Sequence, residues 1–122
     1  MFISGIDQYL QGVLNAKVVL ANNTNTTLYT APSASLFNVS IASSIIVCNT
    51  DDSNARTLTL TLTDTSDTIF TLFDVKSIAA NTSVELLTRD LVLKSGEILK
   101  VQASDGTVNV IASIQEFTKV KN

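Results

Sequence analysis

The side chains in this sequence that could take part in chemistry are few and mostly acidic. Adjacent carboxylates occur at Asp51-Asp52, and Asp64 and Asp67 lie close together further on. Two neighbouring carboxylates can divide the roles of acid and base in glycoside hydrolysis. With Asn54 they also supply hard oxygen donors suited to calcium, although neither cluster has the spacing of an EF-hand loop. Both clusters lie among Thr, Ser and Asn, where an aspartate more commonly closes a turn onto its own backbone. No Trp is present to stack a sugar ring. The expectation is turn chemistry at these positions, with no catalytic residue, no metal ligand and no cofactor.

Cys48 is the only cysteine, and the sequence contains no histidine. A single cysteine excludes an internal disulfide and any multi-thiolate metal site. Within Ile45-Ile46-Val47-Cys48 it reads as a small buried hydrophobe rather than a reactive thiol. Without His, the Ser-His-Asp and Cys-His arrangements are excluded, as are imidazole metal ligation and the usual neutral-pH proton shuttle. Asp74, Lys76, Glu85, Arg89 and Asp90 read as a solvated rim. The reading is a protein that is not an enzyme.

The framework around these residues is bounded by size and composition. The 122 residues suit one domain, and a chain of this length buries about two-thirds of its surface on folding. Hydrophobic residues make up 45% and charged residues 16%, too apolar a balance for a disordered chain. No apolar run is long enough to cross a bilayer, so no membrane partner is expected. Eight Lys plus Arg against eleven Asp plus Glu leave a net charge of −3, which builds no basic stripe for nucleic acid. The N-terminus has no basic residue before Lys17 and no long apolar stretch, unlike a secretory signal, which implies a cytoplasmic product.

Two regions differ in period. Ile6, Tyr9, Leu10, Val13 and Leu14 recur at spacings of three and four, which predicts a short amphipathic helix, with Ser4 and Asp7 as a capping box. A helix this short needs its apolar stripe docked, either on its own core or on a neighbouring subunit. These five residues are therefore the candidate interface residues, and residues 1–15 are read as a helical arm before a β-sandwich domain over 16–122.

From Lys17 onward the period is two. Thr57-Leu58-Thr59-Leu60-Thr61-Leu62-Thr63 alternates strictly, with leucines toward a core. Similar runs are Lys17–Ala21, Thr27–Ala31, Leu36–Ala42, Ile45–Cys48, Ile69–Val75, Thr82–Leu87, Ile98–Ala103 and Thr107–Phe117. Asp105-Gly106 between two of them predicts a hairpin with a type I′ turn. About eight short strands with little helix indicate an all-β chain, an antiparallel β-sandwich or jelly roll.

Three segments carry a family resemblance. Thr27-Leu28-Tyr29-Thr30-Ala31-Pro32, Ile78–Leu87 and Leu91–Ala103, the last with its Val92-Leu93-Lys94-Ser95-Gly96-Glu97 turn, resemble the strand-and-turn patterns of small all-β virion proteins of tailed bacteriophages. The resemblance covers roughly residues 17–117 and carries over no catalytic or binding residue. It implies a virion structural protein made in the host cytoplasm, first among the alternatives a capsid decoration or cement protein. Its partners would be itself, as a homotrimer, and the major capsid protein or another virion protein. A neck, tail or baseplate component is the neighbouring alternative. A carbohydrate-binding module for host attachment is the alternative from another class, since sandwiches host many sugar binders.

Overall fold

The computed structural model describes the backbone of residues 8–33 and 38–119 and the side chains of residues 12–33 and 39–117. Nine strands follow in order: β1 (Gln8–Val19), β2 (Thr26–Thr30), β3 (Asn38–Asn49), β4 (Arg56–Thr63), β5 (Ile69–Ile78), β6 (Thr82–Glu85), β7 (Leu91–Lys94), β8 (Ile98–Ala103) and β9 (Val108–Lys119). Among the described residues there is no helix. All strand pairing is antiparallel, in two sheets. One is ordered β1-β9-β3-β6, with β7 also pairing β3, and the other is ordered β2-β8-β4-β5.

The two sheets close on one core. Leu58 and Leu60 of β4 and Leu99 and Val101 of β8 come from the four-stranded sheet, and Ile45, Val47, Val110 and Ile114 from the five-stranded sheet; all are fully buried. The alternation expected over Thr57–Thr63 is present, with Leu58, Leu60 and Leu62 inward and Thr57, Thr59 and Thr61 half-exposed. Thr63 departs from it: the residue is buried and its hydroxyl has no hydrogen-bond partner.

The expected N-terminal helix is corrected over its described part. Residues 8–15 belong to β1, which runs unbroken across the anticipated boundary between positions 15 and 16 and pairs with β9 from Gln8 to Val19. The physical reason is competition. A helix of some ten residues is marginal alone, whereas the same segment as a strand gains a long ladder and sets Leu14, Ala16, Val18 and Leu20 toward the core. A bulge between Leu10 and Gly12 disturbs the pairing and adds to the irregular apolar spacing that imitates a helical period. Residues 1–7, including Ser4, Ile6 and Asp7, lie outside the described residues.

The expected hairpin at Asp105-Gly106 is also corrected. β8 and β9 belong to different sheets, so residues 104–107 form a crossover. Neither Asp105 nor Gly106 has the positive φ that a type I′ turn needs. The Asp105 carboxylate instead accepts the Gly106 N–H at 2.6 Å and pairs with Arg56. The turn from β7 to β8 does need its glycine: Gly96 has φ +82°, and a Cβ there would meet Thr65 Cγ2 at 3.0 Å.

Two bulged regions shape the edges. The runs expected as separate strands at 36–42 and 45–48 meet in one strand, β3, whose register slips between Ala42 and Ser44. Opposite that slip the adjoining edge is broken into β6, on Ile46–Asn49, and β7, on Val39–Ala42. At the edge of the other sheet, β5 slips twice against β4. Val75, in one of these irregularities, sits at φ +50°, rare for a β-branched residue, and its N–H donates to Thr59 Oγ1 at 3.1 Å.

Candidate functional site

The acidic clusters are built as turns. Asp51 Oδ1 accepts the N–H groups of Ser53 and Asn54 at 2.8 and 2.9 Å, and Oδ2 accepts from Arg56. Those backbone bonds, then the guanidinium, hold the Asp51 carboxyl well below the usual carboxylate range. Arg56 also reaches Asp105 at 3.1 Å, so one cation ties the β3–β4 loop to the β8–β9 crossover. Asp64 Oδ1 accepts the N–H groups of Ser66 and Thr68, both at 2.9 Å. Asp51 and Asp64 thus each close their own loop onto its backbone. No group of three or more Cys, Asp or Glu side chains that could hold a metal ion occurs among the described residues.

Cys48 differs from expectation. It is half-buried rather than buried, because Val47 and Asn49 take the inward positions on either side of it and turn it to the outer face of β3. Asn49 is the buried polar node of this end: its amide donates to Ile78 O at 3.0 Å, and its Oδ1 accepts from Asp51 N–H and the Thr107 hydroxyl.

At the opposite end a polar bridge crosses between the sheets. The Tyr29 hydroxyl, from β2, donates to the Glu116 carboxylate of β9 and lies 2.9 Å from Ser40 Oγ of β3. Burial, reinforced by the hydrogen bond to Glu116, raises the Tyr29 hydroxyl above the ordinary tyrosine range. The ring is 7% exposed, so it offers no platform on which a sugar could stack.

The less usual feature is on the surface. The outer face of the five-stranded sheet carries Val13 and Val19 of β1, Ile111 of β9, Ile46 of β3 and Val92 of β7, all exposed. Register places Lys17, Ile111, Ile46 and Glu85 in one row across β1, β9, β3 and β6. A parallel row runs Val13, Gln115, Ile41, Val92. Glu85 anchors the broken edge: its carboxylate accepts from the Ser44 hydroxyl, from Ile45 N–H at 2.7 Å and from Leu87 N–H at 3.1 Å. Partial burial works against its charge, but those hydrogen bonds prevail and the carboxyl is held below its ordinary range. A second apolar stretch, Ile69, Phe70, Leu72 and Val75, is exposed along β5.

Among the candidate interface residues, Val13 lies on this outer face, while Leu14 points inward and packs on the core. Tyr9 and Leu10 are placed on β1 by their backbone, paired with Thr118 and Phe117, and Ile6 lies outside the described residues. Reading alternate residues for the core missed Val19, Ile46, Val92 and Ile111. The signal was present as apolar doublets within strands, Val13-Leu14, Val18-Val19, Ile45-Ile46 and Val110-Ile111. Adjacent strand residues face opposite ways, so each doublet gives one side chain to the core and one to the outside.

No protein-family model matches the chain, and no curated protein matches it. Solved structures do. One is a pentameric capsid protein isolated from metagenomic phage sequences, with TM-score 0.46 and 20% identity over 88% of this chain and 64% of that one. Another is a chain of the T13 infectious bursal disease virus particle, with TM-score 0.58 and 11% identity over 93% of this chain and 31% of that one. The Gx strain of the same virus gives TM-score 0.58 and 12% identity over 95% of this chain and 33% of that one. The chain therefore spans less than two-thirds of each neighbour's length, and the likeness to the two virus chains is one of fold.

Proposed function

We propose that the chain is a virion structural protein, acting as a capsid decoration or cement protein that stabilises the head through subunit contacts. The observation that carries this reading is the strand order. With β6 and β7 taken as one interrupted strand, the sheets run first-eighth-third-sixth and second-seventh-fourth-fifth, the arrangement of a jelly roll, which is common in viral capsid domains. Most of the chain, 93% and 95% of it, shares its fold with part of chains from structures of infectious bursal disease virus. The exposed valines and isoleucines on the five-stranded sheet are consistent with a protein finished by contact with neighbours.

Under this reading the protein is made in the host cytoplasm and ends in the virion, seated on the major capsid protein. A homotrimer is the stoichiometry that a local threefold site of a capsid lattice asks for. Its role is mechanical, and the attachment of many copies adds up by multivalency.

The test is to prepare particles with and without this protein and heat them. Particles lacking it are expected to rupture at a lower temperature, and adding back the purified chain is expected to restore the difference. Equal rupture temperatures would overturn the cement role; equal rupture together with loss of host attachment would move the protein to the tail, baseplate or glycan-binding alternatives.

A further inference from the structure

The row Lys17–Ile111–Ile46–Glu85 has a property that the individual residues lack. It carries a cation at one end, an anion at the other and two isoleucines between them. A two-fold axis parallel to the strands, passing between β9 and β3 in the plane of contact, would reverse such a row onto itself. Lys17 would then face the second copy's Glu85, and Ile111 its Ile46. In the parallel row the same operation sets Val13 against Val92 and Gln115 against Ile41. Toward the other end Val19 meets Ser83, and Asn109 meets Cys48. In none of these described rows does a charge meet its own kind.

From this match we infer that the outer face of the five-stranded sheet docks a second copy of this chain, face to face about a two-fold axis. An isologous interface requires self-complementarity of this kind. The direction of the axis keeps the strands of the two copies aligned, as sheets that pack face to face prefer.

The size is adequate. The three strands β1, β3 and β9 have 12 residues each, and with the β6/β7 edge they give a backbone footprint of roughly 40 by 19 Å, about 750 Å². A stable interface needs about 800 Å² on each partner. The row between these two is polar, Asn15–Ser113–Ser44, so the contact joins apolar side chains on either side of a hydrogen-bonding strip, and the charges stand at the margin, where they select orientation more than they add affinity. The inference concerns the isolated chain and does not depend on the virion reading.

The experiment measures the mass of the full-length protein in solution from 1 to 100 µM, beside circular dichroism to confirm folding. An even copy number is expected: two, or six if a threefold contact forms as well. Lys17→Glu places like charges at both ends of the row and is expected to weaken the two-fold contact at least tenfold, more so at low salt. Glu85→Lys should do the same. An equimolar mixture of these two variants should recover the contact, because each chain then meets the opposite charge. Glu85→Lys also removes the bonds to the Ile45 and Leu87 N–H groups, so Ile111→Lys serves as the second variant and should dissociate the pair while keeping the wild-type spectrum. A wild-type protein that is monomeric or purely trimeric at 100 µM would overturn the inference. So would a mass unchanged by both Lys17→Glu and Ile111→Lys.

Discussion

On the four-stranded sheet, the residues that alternate with the core leucines of β4 are Thr57, Thr59 and Thr61, and β8 adds Lys100 and Gln102 between its buried positions. On the five-stranded sheet, the equivalent outward places hold Val13, Val19, Ile46, Val92 and Ile111. Both sheets bury their inner faces in the same core. Their outer faces differ because a threonine hydroxyl can be satisfied by water, whereas an exposed isoleucine gains about 25 cal/mol for each Å² that a neighbour covers. On the four-stranded sheet the exposed apolar side chains, Ile69, Phe70, Leu72 and Val75, are confined to the edge strand β5, whereas on the five-stranded sheet they lie across the strands. The difference lies in one position of the two-residue strand period, so it leaves the fold untouched while changing what the fold can join.

The strongest way to break the comparison is to attack the core that both sheets share. Leu60→Ala should cost about 2–5 kcal/mol, because Leu60 is fully buried at the centre of β4. Thr61→Ala next to it should cost less than about 1 kcal/mol. Urea unfolding of the two variants measures the contrast, and equal midpoints would mean that the sheets do not share one core.

Removing the Asn49 side chain comes next. Asn49→Ala strands the Ile78 and Asp51 backbone groups that it now satisfies, and should cost about 1–3 kcal/mol by the same assay.

Acid should then loosen the loops that flank the sheets. Asp51 and Glu85 both have folded-state pKa values below their unfolded ones. Their stabilisation is therefore present above the unfolded range near pH 4 and is lost as pH falls through the folded values. Thermal midpoints should fall on acidification below about pH 5, and Glu85→Gln should flatten part of that fall. An unchanged profile in that variant would assign the acid sensitivity elsewhere.

Thr63→Val should raise stability by about 0.5–1 kcal/mol, since the buried Thr63 hydroxyl has no partner. The smallest effect on stability sharpens the comparison most. Val19→Lys on the five-stranded sheet and Thr61→Lys on the four-stranded sheet should each stay within about 0.5 kcal/mol of wild type. Only the first should reduce self-association measured by light scattering.

The sequence reveals a great deal of the sandwich and less of its surface. The alternation from Thr57 to Thr63 specifies both a strand and its buried face, because the core accepts one phase of the pattern and water the other. The segment around Tyr9 to Leu14 was misleading for a physical reason. Its apolar spacing fits a helix locally, and only the distant partner β9, whose paired residues lie 100 to 109 positions later, makes the strand the better solution. Asp105-Gly106 failed similarly: turn residues report that the chain bends, but not whether it returns within its own sheet or crosses to the other. The outer face became visible only when the doublets could be assigned to registers, since which member of Ile45-Ile46 points inward depends on the slip at Ser43.

The pairing of β9 between β1 and β3 also bears on when the molecule can form during its synthesis. The ribosome delivers β1 first among the described strands and β9 last, yet β9 is the strand that joins β1 to the rest of its sheet. Until β9 emerges, β1 and β3 have no common neighbour, and Leu14, Ala16 and Val18 have no ladder to hold them against the core. Contacts this distant in sequence make folding slow. For the two-fold docking inferred above, the consequence is one of timing: the rows that match a second copy come into register only with the last described strand, so that contact would follow folding of each chain.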